Sequence, residues 1–129
     1  MEKITELYVI IENQPNAAGN LFRLLKKKNI AVYAVGLFQD TARLYVSDPP
    51  KTISLLNDLN YVVEEREVLA ISLPNKTGAL MDLTMKLGNA KVNIEYMYGA
   101  LEPKQKKGTI ILEVDKPNLA LELFRNHSF

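Results

Sequence analysis

The sequence predicts an α+β protein built from two copies of one small unit. Three observations carry this. Short runs rich in Val, Ile, Leu and Tyr alternate with helical leucine patterns, the second half repeats the order of the first, and both halves place a similar turn before their first helix. Gln14-Pro15-Asn16-Ala17-Ala18-Gly19-Asn20-Leu21 and Leu73-Pro74-Asn75-Lys76-Thr77-Gly78-Ala79-Leu80 share Pro, Asn, Gly and Leu at a spacing of 59. Val46, Pro49, Leu55 and Leu56 match Val114, Pro117, Leu123 and Phe124 at a spacing of 68, so the second copy is expected to hold nine extra residues, most of them in a hairpin.

In chain order, Leu7 to Glu12 is a nearly continuous apolar run, as in a strand covered on both faces. It ends at Asn13-Gln14-Pro15-Asn16. Leu21, Leu24 and Leu25 recur at helical spacing over residues 17–28, with Asn16 placed to cap the helix and Lys26 to Lys28 at its negative end. Ile30 to Phe38 and Thr41 to Ser47 are two strand-like runs joined by Gln39-Asp40. Asp48-Pro49-Pro50 then opens a second helix, because a capping residue followed by proline sacrifices no helical N–H. Tyr61 to Leu73 reads as one long strand. The second half repeats the pattern with a helix from Gly78 to Leu87, strands from Lys91 to Leu101 and Thr109 to Val114 around a Lys-rich turn, and a helix from Pro117 to Arg125.

Each unit therefore reads strand, helix, strand, strand, helix, strand, which is the ferredoxin-like βαββαβ order with an antiparallel sheet and both helices on one face. The expected boundary divides residues 1–66 from 67–129 inside a continuous strand. At the spacing of 68, Tyr61 corresponds to Phe129, so the second unit is expected to be truncated to βαββα. Its first strand is apolar at Val68, Leu69, Ala70 and Ile71, and an unpaired apolar edge is a template for aggregation, so something is expected to cover it.

Composition narrows the chemistry. The chain has 129 residues, 16 basic and 15 acidic, and 47% apolar residues, which is a globular composition with no electrostatic footprint for nucleic acid or an anionic membrane. There is no cysteine and one histidine, His127, so no thiolate nucleophile and no Cys or His metal cluster is expected. Met1 to Glu6 has no apolar signal core, and no run approaches the roughly 18 residues of a membrane span, so a cytoplasmic location is expected.

The turn with its glycine, repeated in two βαββαβ units, and Asn93-Ile94 at the start of a strand resemble ACT domains in tandem. The specific part is the second copy, from Pro74 to Leu80 and on through Val92-Asn93-Ile94-Glu95-Tyr96. The resemblance implies a regulatory protein without catalytic residues, cofactor or metal, which binds an amino acid or similar small molecule at an interface between two copies. It implies allosteric control of a metabolic enzyme or of transcription, and a homodimer. Carried onto this chain, the pattern gives Asn75, Thr77, Gly78, Ala79, Leu80, Asn93 and Tyr96 as ligand contacts, and Asn16, Gly19 and Leu21 as their first-copy counterparts. Where Asn93 stands in the second copy the first has Ala31, and where the family has proline before the glycine this chain has Ala18 and Thr77. The second turn is therefore the expected site.

The physical logic agrees. A glycine beside a helix N-terminus lets backbone N–H groups approach a carboxylate, and asparagine amides add neutral donors and acceptors. A plainer reading is that Asn75 only caps the helix, Gly78 only relieves packing, and Leu80 and Tyr96 belong to the core. Lys76-Thr77-Gly78 has no Ser-x-x-Lys to make an acylating serine enzyme, and no basic face or aromatic RNA platform is evident. The alternative of a different class is an interaction module, a regulatory subunit that docks on an amino-acid metabolic enzyme and binds no ligand.

Overall fold

The computed structural model describes residues 1–127, and the expected repeat position Phe129 lies outside them. The elements are β1 (Glu2–Ile10), α1 (Ala17–Lys27), β2 (Val32–Phe38), β3 (Thr41–Val46), α2 (Pro49–Asp58), β4 (Val63–Pro74), α3 (Ala79–Asn89), β5 (Ile94–Gly99), β6 (Lys107–Val114) and α4 (Pro117–Phe124). They divide into two compact units, one of Thr5–Arg66 and one that joins Met1–Ile4 to Glu67–Phe129.

In the unit of Thr5–Arg66 the strand order is β2-β3-β1-β4. Phe38 pairs with Thr41, so Gln39-Asp40 is a two-residue loop, made possible by a left-handed Gln39 at φ 51°. Leu7 and Val9 of β1 and Ile11 just after it pack with Ala42, Leu44 and Val46 of β3 against Leu21, Leu25 and Leu56 of the helices. The alternate residues of β1, Glu6 and Tyr8, face the other way because side chains alternate along a strand. Asp48 caps α2 as expected, its Oδ1 accepting from the Lys51 amide at 3.1 Å.

β1 begins five residues before the expected start. The charges that hid it are paired: Lys3 Nζ lies 3.1 Å from Glu67 Oε1, and Arg43 donates to the fully buried Glu6 at 3.4 Å. Strand character here comes from cross-strand partners, which local composition does not reveal.

In the other unit the strand order is β1-β4-β6-β5, with Leu69, Ile71, Leu73, Leu112 and Val114 packed against Leu83 and Leu87 of α3 and Phe124 of α4. The apolar run Val68 to Ile71 is buried. Its cover is the start of the chain: Met1–Ile4 belongs to this unit, β1 lies beside β4, and Met1 packs against its core.

The repeat register differs from the one the turn letters predict. Ala17 donates to Gln14 O where Ala79 donates to Lys76 O, Asn20 to Asn16 O where Asp82 donates to Gly78 O, and Ile30 to Leu25 O where Val92 donates to Leu87 O. These pairs, and the buried Leu21 and Leu25 against Leu83 and Leu87, are all 62 positions apart. The spacing of 68 holds after the hairpin: Ser47 donates to Ala31 O as Asp115 does to Asn93 O, the donors 68 apart and the acceptors 62. The insertion is therefore six residues, and Leu37↔Ala42 against Gly99↔Ile110 places all six in the β5–β6 hairpin.

The reason lies in the backbone. Each unit needs one left-handed residue just before its first helix, supplied by Asn16 at φ 71° in one and Gly78 at φ 93° in the other. Asn16 thus makes no side-chain cap, and Gly19 lies inside α1 with ordinary dihedrals. Gly78→Ala is expected to destabilise by about 1–2 kcal/mol, whereas Gly19→Ala, with no atom within 4 Å of the added carbon, should gain up to about 1 kcal/mol. Urea unfolding of the two variants checks this; equal effects would restore the spacing of 59.

Candidate functional site

The second turn is built where β4 runs out at Pro74. The Asn75 amide donates to Lys106 O at 2.8 Å, and its side-chain Nδ2 donates to Glu102 O at 2.6 Å and Gln105 O at 3.1 Å. Asn75 therefore does not cap α3. Its donors anchor the inserted hairpin. Lys76 donates to Pro74 O at 3.0 Å, and Gly78 at φ 93°, ψ −13° opens the helix. A Cβ on Gly78 would meet nothing within 4 Å, so glycine is favoured there by its dihedral and not by close packing. Thr77 is exposed, Ala79, the first residue of α3, is buried, and Leu80 is 42% exposed on the helix surface.

Asn93 is not brought to this turn within its unit. Its backbone N–H donates to Asp115 Oδ1 at 2.8 Å, and its carbonyl accepts from Asp115 N at 3.1 Å. Asp115 follows Val114, whereas the turn follows Leu73, which pairs with Gly108. Six residues of β6 separate the two levels, or roughly 20 Å at the rise of a strand. Tyr96 is also apart from Leu80. It lies opposite Glu113 on the sheet face away from the helices, after an irregularity between Ile94 and Tyr96, and stacks on Tyr98 at 6.2 Å and 12°.

The expected first-copy residues fare differently. Leu21 is fully buried in the core, Gly19 is on the exposed side of α1, and Asn16 supplies the left-handed turn. By the structural register, the counterparts of Asn75, Gly78 and Leu80 are Asn13, Asn16 and Ala18. Ala31 is the true counterpart of Asn93, since its amide donates to Ser47 Oγ at 3.0 Å as Asn93 does to Asp115.

A groove of about 500 Å³ lies beside the first turn, between Ile10 to Gln14, the start of α1, and the segment Leu59 to Val62 that follows α2. The matching hollow of the other unit holds about 230 Å³ and is lined by Ile71, Ser72, Pro74, Lys107, Phe124, His127 and Met1. The first was not visible in the sequence because its walls are some fifty residues apart. The left-handed Asn60 at φ 66°, which turns the chain out of α2, is its one local signal. Among the described residues no group of three or more His, Cys, Asp or Glu is placed to hold a metal, and no helix is long and apolar enough to cross a membrane.

Comparison with known proteins agrees with this architecture. The ACT domain pair family matches residues 2–128. No curated protein sequence matches the chain. The crystal structure of protein BT0572 from Bacteroides thetaiotaomicron is similar at 27% identity, covering 95% of this chain and 86% of that one with a TM-score of 0.86. The ligand-free regulatory subunit of aspartate kinase from Thermus thermophilus shares the fold at 15% identity, with 93% and 88% of the two chains covered and a TM-score of 0.70. E. coli aspartokinase III in complex with lysine and aspartate shares it at 14% identity and a TM-score of 0.61, over 95% of this chain but 31% of that one. The paired α+β units, their antiparallel strand order and the match over residues 2–128 place this chain in the ACT domain family.

Proposed function

We propose that this protein binds a free amino acid and passes its ligand state to an enzyme of amino-acid metabolism, acting in the cytoplasm as a homodimer. The observation that carries the reading is the pair of ACT units over nearly the whole chain, an arrangement shared with the regulatory subunit of the Thermus thermophilus aspartate kinase. A related aspartokinase is seen with lysine and aspartate. The ligand sits at the second turn, against Asn75 Oδ1 and the amides around Gly78. Because Asn93 lies about 20 Å from that turn in its own unit, the Asn93 that completes the site belongs to a second copy of the chain. Binding and association are then linked.

A second reading is favoured by one contact set. The Asn75 donors are spent on the hairpin, as they would be in a docking module that holds no ligand. A thermal-shift screen against the twenty amino acids separates the two. Ligand at 100 times its dissociation constant stabilises by about 2.7 kcal/mol. Asn93→Ala should abolish the shift with the fold intact, and Asn75→Ala should weaken it while freeing the hairpin. A flat response to every amino acid at millimolar concentration would leave the docking module standing.

A further inference from the structure

We infer that the β5–β6 hairpin, with Lys76 beside it, is a docking site for an acidic segment of a partner protein. The inference rests on the reading above that this chain acts on an enzyme, and names where and by what chemistry the two meet. The Thr5–Arg66 unit closes the equivalent hairpin with Gln39-Asp40 alone, so the six added residues are not needed to join the strands. What they add is charge. Lys104, Lys106 and Lys107 lie in this hairpin, and Lys76 is brought beside them because Pro74 pairs with Lys107 and the Asn75 amide donates to Lys106 O at 2.8 Å. All four are exposed, and Glu102 is the one acid in the hairpin. Among the described residues none of the four makes an ion pair or a side-chain hydrogen bond, whereas Lys3, Lys51, Lys86 and Lys116 each engage a partner.

The hairpin that carries these charges is held in place. Asn75 Nδ2 donates to Glu102 O at 2.6 Å and Gln105 O at 3.1 Å, Gln105 N donates to Glu102 O at 3.0 Å, and Gly99 and Gly108 close the base with no room for a Cβ. A loop fixed before binding loses less conformational entropy when a partner docks. Like charges held together repel, and a run of carboxylates relieves that repulsion while steering the encounter. The residues of the hairpin select among polyanions. It has no aromatic side chain to stack a base and no arginine to fork onto a phosphate, and between Glu102 and Gly108 no large apolar side chain stands ready to enter a bilayer. Flexible carboxylate side chains need none of these.

The experiment is fluorescence anisotropy of a labelled short oligoglutamate titrated with the full chain, with a single-stranded oligonucleotide and phosphatidylserine vesicles as rival polyanions. Saturable peptide binding that falls with salt and exceeds binding to either rival is the expected result. Combining Lys104→Gln, Lys106→Gln and Lys107→Gln should weaken it roughly tenfold. Asn75→Ala, which keeps every charge and frees the hairpin, should weaken it by about threefold. The matched control combines Lys26→Gln, Lys27→Gln and Lys28→Gln at the end of α1, and should change affinity by less than about twofold. Equal losses in the two lysine variants, an Asn75→Ala protein that binds like its parent, or tighter binding to oligonucleotide or vesicles each overturn the inference. Absence of peptide binding overturns it too, and an amino-acid thermal shift that persists in the same protein then leaves the function proposed above intact.

Discussion

Arg43→Ala is expected to lower the unfolding free energy by about 3–5 kcal/mol, a large share of the stability of a chain this size. Glu6 is fully buried, and Arg43 Nη1 is 3.4 Å from its Oε1. Truncating the arginine takes a guanidinium away from the buried carboxylate and from the face of Tyr8, whose ring lies 4.8 Å from Arg43 and 4.6 Å from Arg66. Replacing both partners, as in Glu6→Leu with Arg43→Met, should recover most of the loss, because a buried pair is dear mainly when halved. A double-mutant cycle by urea denaturation reads the coupling directly. By contrast, Lys3→Ala, which breaks an exposed pair with Glu67, should change stability by less than about 1 kcal/mol. An Arg43→Ala protein as stable as its parent would mean that Glu6 draws enough from its other neighbours.

Gly108→Ala should be nearly as damaging, and for a steric reason. A Cβ there would lie 2.2 Å from the carbonyl oxygen of Ala100 and 2.8 Å from Leu101 Cδ2, and a backbone carbonyl in a strand-ending turn has little room to retreat. The loss is expected to exceed about 2 kcal/mol. Gly99 is equally confined, its added carbon falling 2.4 Å from Thr109 O. The two glycines close the inserted hairpin, and the hairpin is what Asn75 holds through Glu102, Gln105 and Lys106. Hydrogen exchange over residues 100–107 should therefore accelerate in Gly108→Ala, and any ligand at the second turn should bind less tightly. Gly88→Ala, in a helix with nothing within 4 Å, is the matched control and should be neutral or stabilising.

Much of the fold is legible in the residues because helical leucine spacing and β-rich runs are local signals. Leu21 and Leu25, or Leu83 and Leu87, announce buried helix faces without help from the rest of the chain. The register between the copies is obscured in the sequence because Pro, Asn and Gly recur for different reasons in the two turns. Asn16 does with its own backbone what Gly78 does in the second copy, so aligning asparagine with asparagine slides the repeat by three residues. Glu2 to Glu6 hid a strand because the partners of its charges, Glu67 and Arg43, are distant in sequence.

The candidate site was legible as a turn and not as a constellation. Asn75 and Gly78 announce an opening to helix α3, yet whether an amide faces a ligand or a hairpin depends on six inserted residues some thirty positions away. Asn93 shares the family pattern, but strand order sets it at the far end of the unit. The groove beside the first turn depends on Leu59 to Val62 meeting Ile10 to Gln14, which no spacing rule predicts.

The place of Met1–Ile4 in the unit of Glu67–Phe129 bears on how the protein is made. On a ribosome adding about 5–20 residues per second, the opening residues wait on the order of several seconds before the partner strand around Val68 to Ile71 has been synthesised. Closing that contact spans the whole of the Thr5–Arg66 unit, whose own folding shortens the effective loop and lowers the entropy lost on closure. The first unit thus acts as a tether for the completion of the second. The unit that joins Met1–Ile4 to Glu67–Phe129 has no contiguous stretch that contains all of its strands.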